Sequence, residues 1–195
     1  MTTTQVKRYN IQLEGISPLI WNVRKREVDQ ETKALKRSEL NEWEESNWWK
    51  KAEFDDNSGV IIPERWFDGM LVEAAKQTRL VPHFATTKKE TYTRYVGSVM
   101  TYVLSNPICQ KEDLEPYGAF VKIQNSSIWK IRPLIKKWSV NLQITDPAGR
   151  MKMEELKEIL EYGGMFVGIG DNRKHRFGRF EVKSIEEVNS AGTEN

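Results

Sequence analysis

Two stretches of this chain alternate apolar and polar residues so cleanly that each has to lie with one face covered and the other open. In residues 6–14, Tyr9, Ile11 and Leu13 point one way while Arg8, Asn10, Gln12 and Glu14 point the other. In residues 138–145, Trp138, Val140, Leu142 and Ile144 share one face, and Ser139, Asn141, Gln143 and Thr145 share the opposite one. Strands of this kind belong to a sheet with helices on one side only, which is an α+β architecture with an open antiparallel sheet. Gly15 and the Ser17-Pro18 pair end or kink the first strand.

The segments between them supply the helices. Residues 27–51 are charged and predicted helical, with Leu35, Leu40, Trp43 and Trp48 or Trp49 as scattered anchors. Asp55 to Gly59 is a turn, and Val60 to Ile62 a short strand. Pro63 suits the first turn of a helix whose stripe is Phe67, Met70 or Leu71, and Ala74-Ala75. A second helix runs from Lys152 to Tyr162 on Met153, Leu156, Ile159 and Leu160, with Gly163 as its stop. Residues 81–101 are polar, basic and aromatic and predict an extended excursion or a hairpin. Pro107 and Pro116-Tyr117-Gly118 mark turns, and Arg179 to Lys183 a last strand. The order strand, helix, strands, helix, strand is compatible with a ferredoxin-like core carrying insertions. The expected organisation is one domain over 1–188, with a helical insertion at about 27–51, an excursion at about 81–105 and a disordered tail over 189–195.

Composition narrows the chemistry. No apolar run approaches the roughly 20 residues of a bilayer span, and residues 1–10 lack an apolar signal core, so a cytoplasmic protein is expected. One cysteine, Cys109, excludes an internal disulfide framework, and two histidines, His83 and His175, make a metal site or cofactor unexpected. The adjacent acids Glu44-Glu45 and Asp55-Asp56 could bind magnesium, but acids in such places are usually just solvated. Net charge is only +2, yet the cations cluster at Arg24–Arg26, Lys130–Lys137 and Arg173–Arg179, away from the acids at 39–45 and 154–161. Clustered cations in a near-neutral chain indicate a local basic groove.

The most informative stretch is Gly163 to Phe180, GGMFVGIGDNRKHRFGRF. Its glycines permit positive φ and close approach to a ligand, with N–H groups turned towards anions. Arg173, Lys174, Arg176 and Arg179 beside them can grip phosphates and stack on bases. The alternative reading is a mobile surface loop.

Three motifs together resemble the RAMP superfamily, the RRM-like proteins of CRISPR systems. The pattern GxGxxRxxRFGRF from Gly168 to Phe180 resembles that family's C-terminal glycine-rich loop. Gly15 to Leu19 is similar to the L-x-(S/T)-P-L ending of its first strand, and Ile61-Ile62-Pro63 through Gly69 to Ala75 resembles the start of its first core helix. Glu64 to Phe67 replace small residues, and Val72 an arginine, as in a divergent relative carried by a phage or mobile element. The resemblance implies backbone binding of single-stranded RNA or DNA with little sequence preference, by subunits that self-associate along the strand. The candidate contacts are Gly168, Gly170, Arg173, Lys174, His175, Arg176 and Arg179 in the loop. To these are added Lys88, Lys89, Tyr92 and Arg94 in a thumb-like excursion, and Arg24, Lys25, Arg26 and Arg65 elsewhere.

Each assignment has a plainer counterpart. Tyr92 and Tyr95 can be hairpin packing residues, Arg24–Arg26 a solvated helix start, and Trp66 a core residue. Lys130, Arg132, Lys136 and Lys137 can be edge cations that discourage aggregation. Some RAMP relatives cleave RNA without metal by histidine acid–base chemistry, for which His83 and His175 are the candidates here; neither has a partner residue by spacing, and no enzyme is expected. A third reading is an interaction module that mimics a CRISPR backbone subunit and docks through the tryptophan-rich helix at 43–49.

Overall fold

A computed structural model of the chain describes residues 5–78, 95–123 and 126–188. The alternation at the start becomes β1, Lys7–Gly15, with Tyr9, Ile11 and Leu13 fully or almost fully buried. It lies between β9, Ser139–Asp146, and β10, Phe180–Val188, while β5, Met100–Val103, borders β9 on its far side. Every pairing in this sheet is antiparallel, in the order β10-β1-β9-β5. Two long helices, α3 (Glu64–Gln77) and α4 (Met153–Tyr162), cover one face. The chain order β1-α3-β5-β9-α4-β10 with β1 and β9 central is the ferredoxin-like arrangement.

The helices form for the reasons their stripes suggest. Phe67, Met70, Leu71, Ala74 and Ala75 of α3 are buried at a spacing of three and four residues, as are Leu156, Ile159 and Leu160 of α4. They close on Ile11 and Leu13 of β1 and on Leu142 and Ile144 of β9 in one core. Each of these side chains larger than alanine contributes about 1.5–3 kcal/mol of burial. Pro63 directly precedes α3 and accepts the N–H of Trp66 at 3.0 Å. Asp55 turns the chain beforehand, its carboxylate accepting the N–H groups of Asn57 and Gly59 at 2.9 and 2.7 Å.

The remaining elements build a second body of structure on one side. A sheet of order β2-β8-β7 joins β2, Leu19–Ile20, to the hairpin of β7, Glu115–Ile123, and β8, Ser126–Ile135. A smaller one, β3-β4-β6, pairs Glu53–Phe54, Gly59–Ile61 and Cys109–Gln110. Two helices, α1 (Arg26–Thr32) and α2 (Arg37–Asn47), lie between β2 and β3 in the chain, and α2 packs on β8.

Several local expectations are corrected. The helix expected over 27–51 is two, interrupted at 33–36, where Lys36 is extended and gives its N–H to Glu39 at 2.7 Å. Its one fully buried residue in α2 is Glu44, which explains why no apolar stripe could be read there. Pro116, Tyr117 and Gly118 lie in strand β7, not in a turn; proline is tolerated because β7 is the outer strand of its sheet. Residues 100–103 belong to the main sheet rather than to an excursion. Met153 is 38% exposed, and Met151, just before α4, is buried instead. Gly163 does not stop α4: the helix widens into a π-turn over Gly163–Val167 and ends at Gly168, whose φ is 74°. The segment 189–195 lies outside the described residues.

Candidate nucleic-acid interface

The glycine-rich stretch is hydrogen-bonded to the segment that follows β1. Gly178 gives its N–H to Pro18 at 2.8 Å, and Asp171 gives its N–H to Ile20 at 2.9 Å. Arg179 donates its N–H to the Ser17 hydroxyl at 2.8 Å and accepts the Ile16 N–H at 2.9 Å. Trp138 closes the other side, its indole donating to the Ser17 carbonyl at 2.9 Å. The Ser-Pro-Leu segment and the loop, far apart in sequence, are two halves of one hydrogen-bonded unit.

The glycines serve this folding. A Cβ on Gly178, whose φ is 67°, would sit 1.9 Å from the Ile169 carbonyl oxygen. One on Gly170 would meet the Ile20 oxygen at 2.7 Å. The N–H groups of Gly168 and Ile169 go to Gly163 and Gly178 at 2.7 and 3.0 Å, so these donors are spent internally instead of facing an anion. Gly163 and Gly164 let the π-turn pass between Met70 and Phe180, where a Cβ would lie 2.1 and 2.3 Å from their atoms. The loop is held to the second sheet as well, by the Arg132–Asp171 ion pair at 2.7 Å and by the rings of Tyr117 and Phe177, 5.1 Å apart.

What this framework presents is a short cationic turn. Arg173–His175 form a 3-10 turn flanked by Asn172 and Arg176, both left-handed at φ 58° and 67°. Lys174, His175 and Arg176 are exposed, and Arg173 pairs with Glu73 of α3 at 3.3 Å. Arg179 is partly structural: one guanidinium nitrogen donates to the Arg173 carbonyl at 3.2 Å, and Nη1 is buried with no hydrogen-bond partner among the described residues. Burial, and then the charges of Arg173 and Arg176, hold its pKa below the ordinary arginine value.

Beside this turn lies a feature that residue patterns did not single out. Ile16, Ser17, Met165, Phe166, Arg176 and Arg179 line an open groove of about 430 Å³. Ile16, Met165 and Phe166 are 51%, 56% and 63% exposed, an apolar patch that a packed core would have hidden. Phe166 is turned out by the π-turn, its ring tilted against Tyr162 at 4.9 Å. The signal that could have found it is the apolar Met165-Phe166 pair following a helix already supplied with its own stripe.

The other candidates are dispersed. Arg24 pairs with Asp29 at 2.7 Å, Lys25 lies 5.2 Å from the Phe54 ring centroid, and Arg26 begins α1. Arg65 pairs with Glu53 at 2.7 Å, and Trp66 packs on Trp21 with centroids 6.0 Å apart. Among the described residues, no hydrogen bond or ion pair links any of these four cations to the glycine-rich loop. His83, Lys88, Lys89, Tyr92 and Arg94 lie outside the described residues. Glu44 is neither solvated nor a metal ligand, since Lys51 and Lys130 pair with it. The open face of the main sheet carries Asn10, Gln12, Asn141 and Gln143 on its central strands, where a stacking platform would need aromatic rings.

No protein-family model matches the chain, and no curated protein matches it. The fold is similar to that of a chain in the cryo-EM structure of the type III-B Cmr-β complex bound to cognate target RNA, with a TM-score of 0.53 and 11% identity. The match covers 94% of this chain and 61% of that one, so this chain spans about three-fifths of its length.

Proposed function

We propose that this chain binds single-stranded nucleic acid, RNA in the first place, along the groove between the Ser17 segment and the glycine-rich loop. The observation that carries the reading is one of placement. A cationic turn and an exposed apolar patch share a groove whose walls are locked together by backbone hydrogen bonds. Arg173, Lys174 and Arg176 supply charge for phosphates, and Phe166 supplies a ring on which a base stacks. Neither contact reads base edges, which accords with little sequence preference. The fold likeness to a chain of an RNA-bound complex supports RNA over DNA, and the RAMP resemblance supports self-association along the strand.

The reading is of binding without cleavage. The His175 imidazole has no hydrogen-bond or ion-pair partner among the described residues to orient its ring. Fluorescence anisotropy with labelled single-stranded RNA, single-stranded DNA and duplex DNA, at low and moderate salt, tests both halves of the proposal. Tight, salt-sensitive binding of an RNA strand that stays intact is the expected result. Equal binding of duplex, or none to any of the three, would remove it. RNA cleavage lost on His175→Ala would replace binding alone with the nuclease reading.

A further inference from the structure

Away from the groove, α1, α2 and β8 line a pocket of about 210 Å³ whose wall holds the buried pair Glu44 and Lys51. Glu44 is completely buried and its carboxylate accepts three hydrogen bonds. One oxygen accepts from Lys130 at 2.8 Å; the other accepts the Ile131 N–H at 2.8 Å and a proton of Lys51. Lys51, 5% exposed, also donates to the Ile131 carbonyl at 2.6 Å. An ammonium has three N–H donors, so one on Lys51 and two on Lys130 have no acceptor among the described residues. At the mouth, Arg24 uses only its Nε, on Asp29.

The lining therefore carries three cations, Arg24, Lys51 and Lys130, against two carboxylates, Asp29 and Glu44, both already engaged. Water can accept the spare protons but does not offset the surplus positive charge, which falls on Lys130 and Arg24 because Lys51 is paired with Glu44. We propose that the pocket binds a phosphate group, either free inorganic phosphate or the terminal phosphate of a strand. The volume admits a tetrahedral oxyanion together with several waters, being about seven times the roughly 30 Å³ that a water occupies in the liquid. Burial pushes the Lys51 pKa down although Glu44 opposes it, and an anion on the free N–H would push it back up.

Calorimetric titration of the whole chain with inorganic phosphate tests this. Saturable binding at one site is expected, weakened roughly tenfold or more by Lys130→Gln and by Arg24→Ala. The Arg24 side chain is 87% exposed, so its replacement leaves the fold in place even if Lys130→Gln loosens it. Three results would overturn the proposal: no saturable heat, unchanged affinity in Arg24→Ala, or binding abolished by Arg176→Ala instead, which would put the ion on the loop. The source is settled by competition. A terminally phosphorylated oligonucleotide that displaces phosphate where its hydroxyl counterpart does not identifies a strand end; equal behaviour identifies the free ion.

Discussion

Ser17 and Arg179 are bonded in both directions across the molecule: the Arg179 N–H donates to the Ser17 hydroxyl at 2.8 Å, and the Arg179 carbonyl accepts the Ser17 N–H at 3.3 Å. One residue lies just after the first strand and the other just before the last, so this pair sets the cationic turn against the exposed patch. Replacing Ser17 by alanine removes one of these bonds and leaves the Arg179 N–H without its acceptor. The expected cost is about 1–3 kcal/mol in chemical denaturation, with strand affinity falling alongside. Ser17→Thr, which keeps the hydroxyl, should restore most of both; a threonine variant as weak as the alanine one would deny the bond this role.

Arg173→Ala with Arg176→Ala should keep the fold and weaken strand binding about tenfold or more, since the side-chain partner lost among the described residues is the exposed Glu73. Each phosphate contact removed should also lower the slope of log affinity against log salt by about one. Unchanged affinity or an unchanged slope would move the interface elsewhere.

Phe166 separates stacking from charge. Its ring is 63% exposed, so Phe166→Ala should change stability by no more than about 0.5 kcal/mol. If a base rests on it, affinity should fall by about 1–3 kcal/mol with the salt slope unaltered. Loss of stability without loss of affinity would make the ring a packing residue for Tyr162.

Much of the framework was legible because it rests on alternation and helical spacing. The faces of β1 and β9 and the stripe of α3 are stated outright by their residues. The β7–β8 hairpin was not, because Pro116 and Gly118 look like turn residues; Gly118 is there to admit the Trp129 ring, which a Cβ would approach to 2.4 Å. The loop's cations could be read by type, but the purpose of its glycines could not. Their necessity comes from the carbonyls of Ile20 and Ile169, and only the fold brings Ile20 to Gly170. Likewise α2 hid its role because its buried residue is a carboxylate satisfied by two distant lysines.

Gly178 tests whether the loop's conformation or merely its charge matters. With φ at 67° and the Ile169 oxygen 1.9 Å from any Cβ, Gly178→Ala forces the backbone to move. Destabilisation of about 1–3 kcal/mol is expected, and binding should fall although every cation remains. Full affinity in this variant would mean that the arginines act without the clamp.

Glu44 and Lys51 fasten α2 to β8 by standing in for a neighbouring strand, the carboxylate taking the Ile131 N–H and the ammonium its carbonyl. Burial alone would raise the Glu44 pKa; hydrogen bonds from Lys130, Lys51 and the Ile131 N–H outweigh it and hold the group below its ordinary value of 4.5. A carboxyl with a depressed folded pKa stabilises fully above its unfolded pKa and loses that contribution as pH falls through the folded one. Denaturation midpoints should therefore drop as the medium is acidified below about pH 4.5. Glu44→Gln leaves two ammonium groups facing no charge, which should cost about 3–5 kcal/mol at neutral pH. The variant's acid limb should be shallower than that of the parent chain, because the group that titrates is gone. Parallel acid limbs in the two proteins would place the acid sensitivity on other carboxylates and reduce Glu44 to a hydrogen-bond acceptor.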